Sequence, residues 1–75
     1  MIGSLFKATL DETLSQEERK GVIDQISKLK GVMSARFNEA SKPANEIWIH
    51  TLGNDIQPDV RKIKGVKDTQ QFYVQ

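Results

Sequence analysis

The sequence lacks cysteine entirely, has a single histidine and contains no long run of apolar residues. Without cysteine the chain forms neither a disulfide nor a thiolate metal site. No apolar run approaches the roughly 20 residues that a membrane-spanning helix needs. Met1 to Ser4 lead directly into a strand pattern, which leaves no room for a signal peptide. We therefore expect a cytoplasmic protein that does not enter a membrane.

An excess of charge of either sign is also missing. Eleven lysine and arginine residues are balanced by ten aspartate and glutamate residues, so the net charge of +1 provides no overall field that would attract a polyanion. The hydrophobic content of 37% is typical of a globular chain, and 75 residues lie near the lower limit for an unaided core. Residues 1–75 are therefore predicted to form one domain.

One short segment occurs twice. Ser27–Val32 (SKLKGV) is matched 34 positions later by Arg61–Val66 (RKIKGV). Basic residues suit the end of a helix, and glycine ends a helix readily because it adopts left-handed backbone angles. The valine that follows can be buried at the start of a strand. The repeat therefore predicts two similar halves, each with a corner, meaning the turn between its helix and the next strand.

The first half is predicted to contain a strand, a helix and a second strand. Leu5–Leu10 alternates between apolar and other residues, which is typical of a half-buried strand. Ser15 and Glu18 form a capping box at the start of a helix that Gly31 is expected to stop, after Lys28 and Lys30. Gly21 within this helix costs roughly 1 kcal/mol relative to alanine, and a close approach to another element would explain it. Alternation resumes at Ser34–Asn38.

The second half has the same order with a shorter helix. Glu46–Leu52 is the clearest strand, Gln57–Lys64 is the predicted helix and Gln70–Gln75 the final strand. Polar turns are expected at Glu39–Asn45 and Gly53–Asn54. The alternation assigns eight side chains to the face that the helices cover: Phe6, Ala8, Ala35, Phe37, Ile47, Ile49, Phe72 and Val74.

Two strand–helix–strand units in one short domain predict an α+β fold of the split βαβ type. Its four strands form an antiparallel sheet, both helices cover one face, and right-handed crossovers place the first and third strands at the centre. We expect Val32 and Val66 to fill the corners, and both corners to lie at the same end of the molecule. A βαββαβ arrangement of this kind resembles the ferredoxin-like superfold.

Within that superfold the chain resembles the heavy-metal-associated and ACT-type regulatory domains over Leu5–Leu52. Their first helix also ends in leucine, a polar residue and Gly-Val, as in Leu29–Val32, and inward residues follow at the places of Ala35 and Phe37. Metal-binding members carry paired cysteines where this chain has Asp11–Leu14, so we expect no metal site. The glycine-rich anion loop of acylphosphatase-type members is missing too, which argues against that enzyme activity.

The sheet face away from the helices is the candidate interaction surface. Trp48 and His50 are expected to project from it on the third strand, and exposed apolar patches usually mark a contact with a partner. We expect a homodimer or a larger protein partner here. The surface comprises Leu5, Lys7, Arg36, Trp48, His50 and Tyr73.

The same surface allows a second interpretation. Aromatic rings framed by positive charge resemble the RNA-binding surface of RNA-recognition motifs, so Trp48, Tyr73, Lys7 and Arg36 form a candidate single-stranded nucleic-acid site. The third strand lacks the basic-glycine-aromatic start of that family, and Glu46 would repel phosphate. A third alternative is an ACT-like sensor whose small ligand lies at a dimer interface.

Basic residues form another candidate site, a docking end for an acidic protein or a phosphate group, although ordinary matching of charges to the helix dipoles explains the same pattern. Because both helices end in basic residues, the predicted topology gathers these residues at one end of the molecule and the acidic helix starts at the other. The predicted basic docking end comprises Lys28, Lys30, Lys62, Lys64 and Lys67, with Arg61 beside them.

Catalysis and cofactor binding are not expected. His50 is the only histidine, and no serine or threonine has both a base and an orienting carboxylate in a recognisable pattern. The sequence therefore predicts a small non-catalytic protein-interaction or regulatory module without cofactor or metal.

Overall fold

The chain folds into a four-stranded antiparallel sheet with two helices. The computed structural model describes residues 3–40, 45–52 and 56–74, with side chains for 4–40, 45–52 and 56–71. The predicted turn residues 41–44, 53 and 54 lie outside the described residues. The elements are β1 (Gly3–Leu10), α1 (Gln16–Ser27), β2 (Val32–Phe37), β3 (Glu46–Leu52), α2 (Gln57–Arg61) and β4 (Val66–Val74).

The strand order is β2-β3-β1-β4, so β1 and β3 are the central strands and every neighbouring pair is antiparallel. This confirms the predicted α+β, ferredoxin-like arrangement. Neither α1 nor α2, the helices of the described part of the chain, is long and apolar enough to cross a membrane.

The core lies between the two helices and one face of the sheet. Nine apolar side chains are buried there: Phe6, Ala8, Leu10, Val22, Ile26, Ile47, Ile49, Ile56 and Val60. Ala35 and Phe37 of β2 pack against this core as partly buried residues, and so do Val32 and Val66 at the corners. The predicted inward residues are therefore confirmed, apart from Phe72 and Val74, whose side chains lie outside the described part.

Helix α1 begins at the predicted capping box. The backbone N–H of Glu18 donates to Oγ of Ser15 at 3.1 Å, and the N–H of Ser15 donates to Oε1 of Glu18 at 2.9 Å. The explanation offered for Gly21 is wrong, because a Cβ atom built there meets nothing within 4 Å. Both helices are shorter than predicted, since α1 ends at Ser27 and α2 at Arg61.

The two corners have the same backbone geometry. In each, a valine N–H donates to the carbonyl three residues earlier, from Val32 to Leu29 at 3.2 Å and from Val66 to Ile63 at 3.1 Å. The glycine just before the valine has a φ of +96° in the first corner (Gly31) and +99° in the second (Gly65). A positive φ at the third residue of a four-residue turn is typical of type II turns and favours glycine.

The expectation that both corners lie at one end of the molecule is wrong. The carbonyl of Gly31 accepts from the N–H of Leu52 at 3.0 Å, whereas that of Gly65 accepts from the N–H of Asp11 at 2.8 Å. Leu52 pairs with Gly3 at the start of β1, and Asp11 follows the end of β1. The corners therefore lie at opposite ends of the sheet. Because β3 is antiparallel to β1, the helix that follows β3 runs in the opposite direction to the helix that follows β1.

An approximate two-fold axis perpendicular to the sheet relates the halves. Arg36 pairs with Trp48 in β3, and 34 positions later Gln70 pairs with Lys7 in β1. Lys7 and Trp48 pair with each other, so the axis passes close to this pair. Helix α1 has 12 residues and α2 has 5, a difference of seven. This is about two turns, so both helices keep the same side inward.

Strand β4 departs most from the prediction. It begins at Val66 instead of Gln70, and its pairing with β1 contains two register shifts. Gln71 was expected on the face away from the helices, but its Oε1 accepts from Nε2 of Gln57 in α2 at 3.2 Å. The register shift between Leu5 and Phe6 explains the difference, because Gln71 then lies opposite the inward residue Phe6.

Candidate interaction face

The sheet face opposite the helices, here called the open face, is built by strict alternation along the two central strands. Side chains between the buried positions of β1 and β3 point away from the helices and are half-buried or exposed. Cross-strand pairing adds residues of β2 to the same face, because directly paired residues share a side of the sheet. The open face contains Leu5, Lys7, Thr9, Ser34, Arg36, Glu46, Trp48 and His50.

Trp48 occupies the centre of this face. It pairs with Arg36 on one side and Lys7 on the other, close to the approximate two-fold axis. Trp48 is 39% exposed and Met33 is 57% exposed, and these are the large apolar side chains that are exposed within the described part of the chain. The exposed indole of Trp48 thus lies in the middle of an otherwise mostly polar face.

Two charged residues near Trp48, Lys7 and Glu46, are paired with each other. Nζ of Lys7 lies 3.3 Å from Oε2 of Glu46, and each side chain is about a quarter exposed. Nδ2 of Asn38 donates to the other carboxylate oxygen of Glu46 at 3.0 Å. The hydrogen bond from Asn38, and then that from Lys7, lower the pKa of Glu46 below its ordinary value. Glu46 is therefore engaged with these partners.

The structure brings together five of the six residues predicted for the interaction surface. Leu5, Lys7, Trp48 and His50 project from the central strands, and Arg36 lies beside Trp48 on β2. For the sixth residue, the backbone of Tyr73 pairs with Leu5, while its side chain lies outside the described part. The hydrogen-bonding role of Asn38 was missed, because it depends on the register of β2 against β3, which no local pattern reveals.

The predicted basic docking end does not exist as a single end. Lys28 and Lys30 flank the first corner, whereas Lys62, Lys64 and Lys67 flank the second, at the opposite end of the sheet. The second group also lies near acidic residues. Coulombic attraction from Lys64 contributes to the lowered pKa of Glu18, and attraction from Lys67 to that of Asp11, after the larger effects of local hydrogen bonds.

A shallow depression follows β2, the outermost strand on one side. On the open face it reaches Trp48, Arg36 and His50, and on the helix side it reaches Ile23 and Phe37. It therefore wraps around the edge of the sheet instead of forming an enclosed cavity. Within the described ranges, no three His, Asp or Glu side chains are grouped so that they could hold a metal ion.

Comparisons with known proteins add no family to this fold: no protein-family model matches the chain, and no curated protein matches it significantly. The class of the protein is therefore defined by its fold, a four-stranded α+β arrangement of the ferredoxin-like type with one face free of helices.

Proposed function

We propose that this protein is a non-catalytic interaction module that forms a homodimer through its open face, or uses that face to bind and regulate a larger protein. The observation that carries the proposal is the exposed indole of Trp48 at the centre of the sheet face opposite both helices. Aromatic residues surrounded by a polar rim are the usual anchors of protein interfaces. A cytoplasmic location is part of the proposal.

Charge on the open face favours a protein partner over nucleic acid. Lys7, the cation opposite Trp48 on β1, is neutralised by Glu46 at 3.3 Å. The charged residues of the open face, Lys7, Arg36 and Glu46, sum to +1. A net charge of +1 gives little of the phosphate attraction on which nucleic-acid affinity depends. A protein partner does not require a strongly positive face.

The dimer is tested by its mass and by the fluorescence of the single tryptophan. We expect the scattering mass to double with rising concentration while Trp48 emission moves to shorter wavelength, because association removes the ring from water. Trp48→Ala should remain monomeric, whereas Lys62→Ala, a change at an exposed position on the helix side, should dimerise normally. A wild-type chain that stays monomeric, with tryptophan emission unchanged at all concentrations, contradicts the homodimer.

Single-stranded nucleic acid is the second candidate. Two observations favour it: Arg36 is exposed directly beside Trp48, and base stacking on such a ring contributes roughly 1–3 kcal/mol per base. Quenching of Trp48 by a single-stranded RNA oligonucleotide, weakened by added salt and by Arg36→Ala, would support this function. A scattering mass that doubles without RNA, together with Trp48 emission that RNA does not quench, would support the homodimer instead.

The finer resemblance to heavy-metal-associated and ACT-type domains is also a proposal. An ACT-like module would bind a small ligand at a dimer interface near the turn between β1 and α1, so this function depends on the dimer. A small ligand that tightens dimerisation of the wild type, but leaves Trp48→Ala monomeric, would favour it.

A further inference from the structure

The outer edge of β2 presents backbone groups that pair with no strand in the described part of the chain. β2 is the last strand on its side of the sheet. The N–H of Asn38 donates to the carbonyl of Glu46 at 2.9 Å, so the backbone of Asn38 faces β3. Because alternate residues of an antiparallel strand direct their N–H and C=O groups to opposite sides, those of Ala35 and Phe37 face outward. Such a row is a template for another strand.

The opposite edge of the sheet is a poorer template. Strand β4 pairs with β1 through two register shifts, which twist and interrupt its ladder. Strand β2 has one shift, between Val32 and Ser34, and is regular from Ser34 to Phe37. Strand addition is therefore favoured at β2.

The surroundings of the β2 edge are both apolar and cationic. Phe37 and Ile23 line the depression on the helix side, and Trp48 lines it on the open face. A second depression lies between the start of α1 and the end of β2, lined by Arg19 and Lys20 together with Gln16, Phe37 and Glu39. The side chains that line the two depressions thus include three cations, Arg19, Lys20 and Arg36, and one acid, Glu39.

Arg19 provides an independent indication of a missing acceptor. Its Nε atom is buried and has no hydrogen-bond partner among the described residues. The large majority of buried side-chain polar atoms in proteins are hydrogen-bonded, so this nitrogen is unusual. A carboxylate held in the depression that Arg19 lines would be a suitable acceptor for its guanidinium group once the side chain shifts to expose it.

We infer that the β2 edge binds an extended, acidic segment of another protein, which joins the sheet as a fifth strand. Backbone groups of Ala35 and Phe37 would pair with this segment, and alternate apolar side chains would rest on Phe37 and Ile23 on the helix side. Acidic side chains between them would meet Arg36 on the open face, and an acid where the segment passes the start of α1 would meet Arg19 and Lys20. A second copy of β2 fits this edge less well, because its sequence VMSARF carries another arginine and no acid.

The inference is tested with a short peptide of alternating glutamate and valine, with protected ends, added to the full chain. We expect the amide protons of Ala35 and Phe37 to become protected from hydrogen exchange. The same peptide with lysine in place of glutamate should give no protection. Ala35→Pro removes an outward N–H that has no role in pairing with β3, and should abolish binding while keeping the fold.

Arg36→Glu provides a second variant at an exposed position. It should weaken binding of the glutamate peptide by about tenfold, since an attraction becomes a repulsion. Lys62→Glu, the matched charge reversal beside the second corner, should bind like the wild type. Unprotected amides at Ala35 and Phe37, or equal binding of the lysine peptide, would overturn the inference. So would loss of self-association in Ala35→Pro without peptide, because a second copy would then occupy the edge.

Discussion

Gly31 and Gly65 share a left-handed backbone but have different neighbours. A Cβ atom at Gly31 would lie 3.2 Å from the carbonyl oxygen of Leu52. At Gly65 it would lie 2.9 Å from Cδ1 of Leu14 and 3.2 Å from Cγ2 of Val22. Both corners therefore favour glycine through their backbone angles and through a close neighbour, which is a backbone oxygen at Gly31 and apolar side chains at Gly65.

Gly65→Ala is accordingly expected to destabilise the protein. The left-handed conformation alone costs a residue with a Cβ roughly 1–2 kcal/mol, and displacement of Leu14 adds to that cost. Urea unfolding followed by Trp48 fluorescence should show a lower midpoint with an unchanged slope. Gly31→Ala should also destabilise, because its Cβ atom would lie 3.2 Å from a backbone carbonyl oxygen. Lys62→Ala, at an exposed position, is the control and should keep the wild-type midpoint. An unchanged midpoint for Gly65→Ala would contradict the expectation.

Within α1, Gly21 lies in a helix interior without any packing reason to be glycine. Since a Cβ there meets nothing within 4 Å, Gly21→Ala should raise the free energy of unfolding by about 1 kcal/mol. For a domain of this size that corresponds to roughly 4–8 °C in Tm, which calorimetry resolves. Lys20→Ala, at the neighbouring exposed position, should change Tm little. A lower Tm for Gly21→Ala would contradict the expectation.

The elements were predictable to the degree that their inward residues are apolar. Strand β3 was predicted from Glu46 to Leu52, its observed bounds, because its inward positions are Ile47, Ile49 and Thr51. The part of β4 before Gln70 was missed, and Gln71 was assigned to the wrong face, because Thr69 and Gln71 take inward positions with polar side chains. They form hydrogen bonds with α2 instead of packing: Oγ1 of Thr69 donates to Oε1 of Gln57 at 3.2 Å. Hydrophobic periodicity cannot reveal such a contact.

For the whole molecule, the repeated segment predicted two similar halves but not their relative direction. The hydrogen bonds of the two corners agree, and so do the cross-strand positions of Arg36 and Gln70. The prediction placed both corners at one end of the molecule, whereas a two-fold axis perpendicular to the sheet places them at opposite ends. Because β3 is antiparallel to β1, the basic end of α2 lies beside the acidic start of α1, where Lys64 attracts Glu18.

The candidate site shows the same division between local and long-range information. Alternation along β3 correctly placed Trp48 and His50 on the face opposite the helices. The neutralisation of Lys7 by Glu46 depends on two strands whose pairing positions are 39 residues apart in the chain. A local pattern carries no information on such a pair, although Glu46 lowers the charge of the face from +2, given by Lys7 and Arg36, to +1.

Three carboxylates near the end of β1 make the stability of the molecule dependent on pH. Hydrogen bonds from Thr13 lower the pKa of Asp11, those from Ser15 lower that of Glu18, and those from Asn38 and Lys7 lower that of Glu46. A lowered pKa in the folded state means that the ionised form is stabilised by folding. This contribution is fully present above the ordinary values of 3.8 for aspartate and 4.5 for glutamate.

The free energy of unfolding should therefore fall as the pH decreases from about 5 through the lowered pKa values of the folded state, where these groups become protonated. Urea unfolding at a series of pH values, followed by Trp48 fluorescence, measures this dependence. Glu18→Gln keeps a capping-box acceptor without the titration, so its curve should be flatter than that of the wild type. Asp24→Asn, at an exposed position on α1 that takes no part in these hydrogen bonds, is the control and should retain the wild-type curve. Stability that rises on acidification would contradict the stabilising role of all three carboxylates, because protonation would then favour the folded chain.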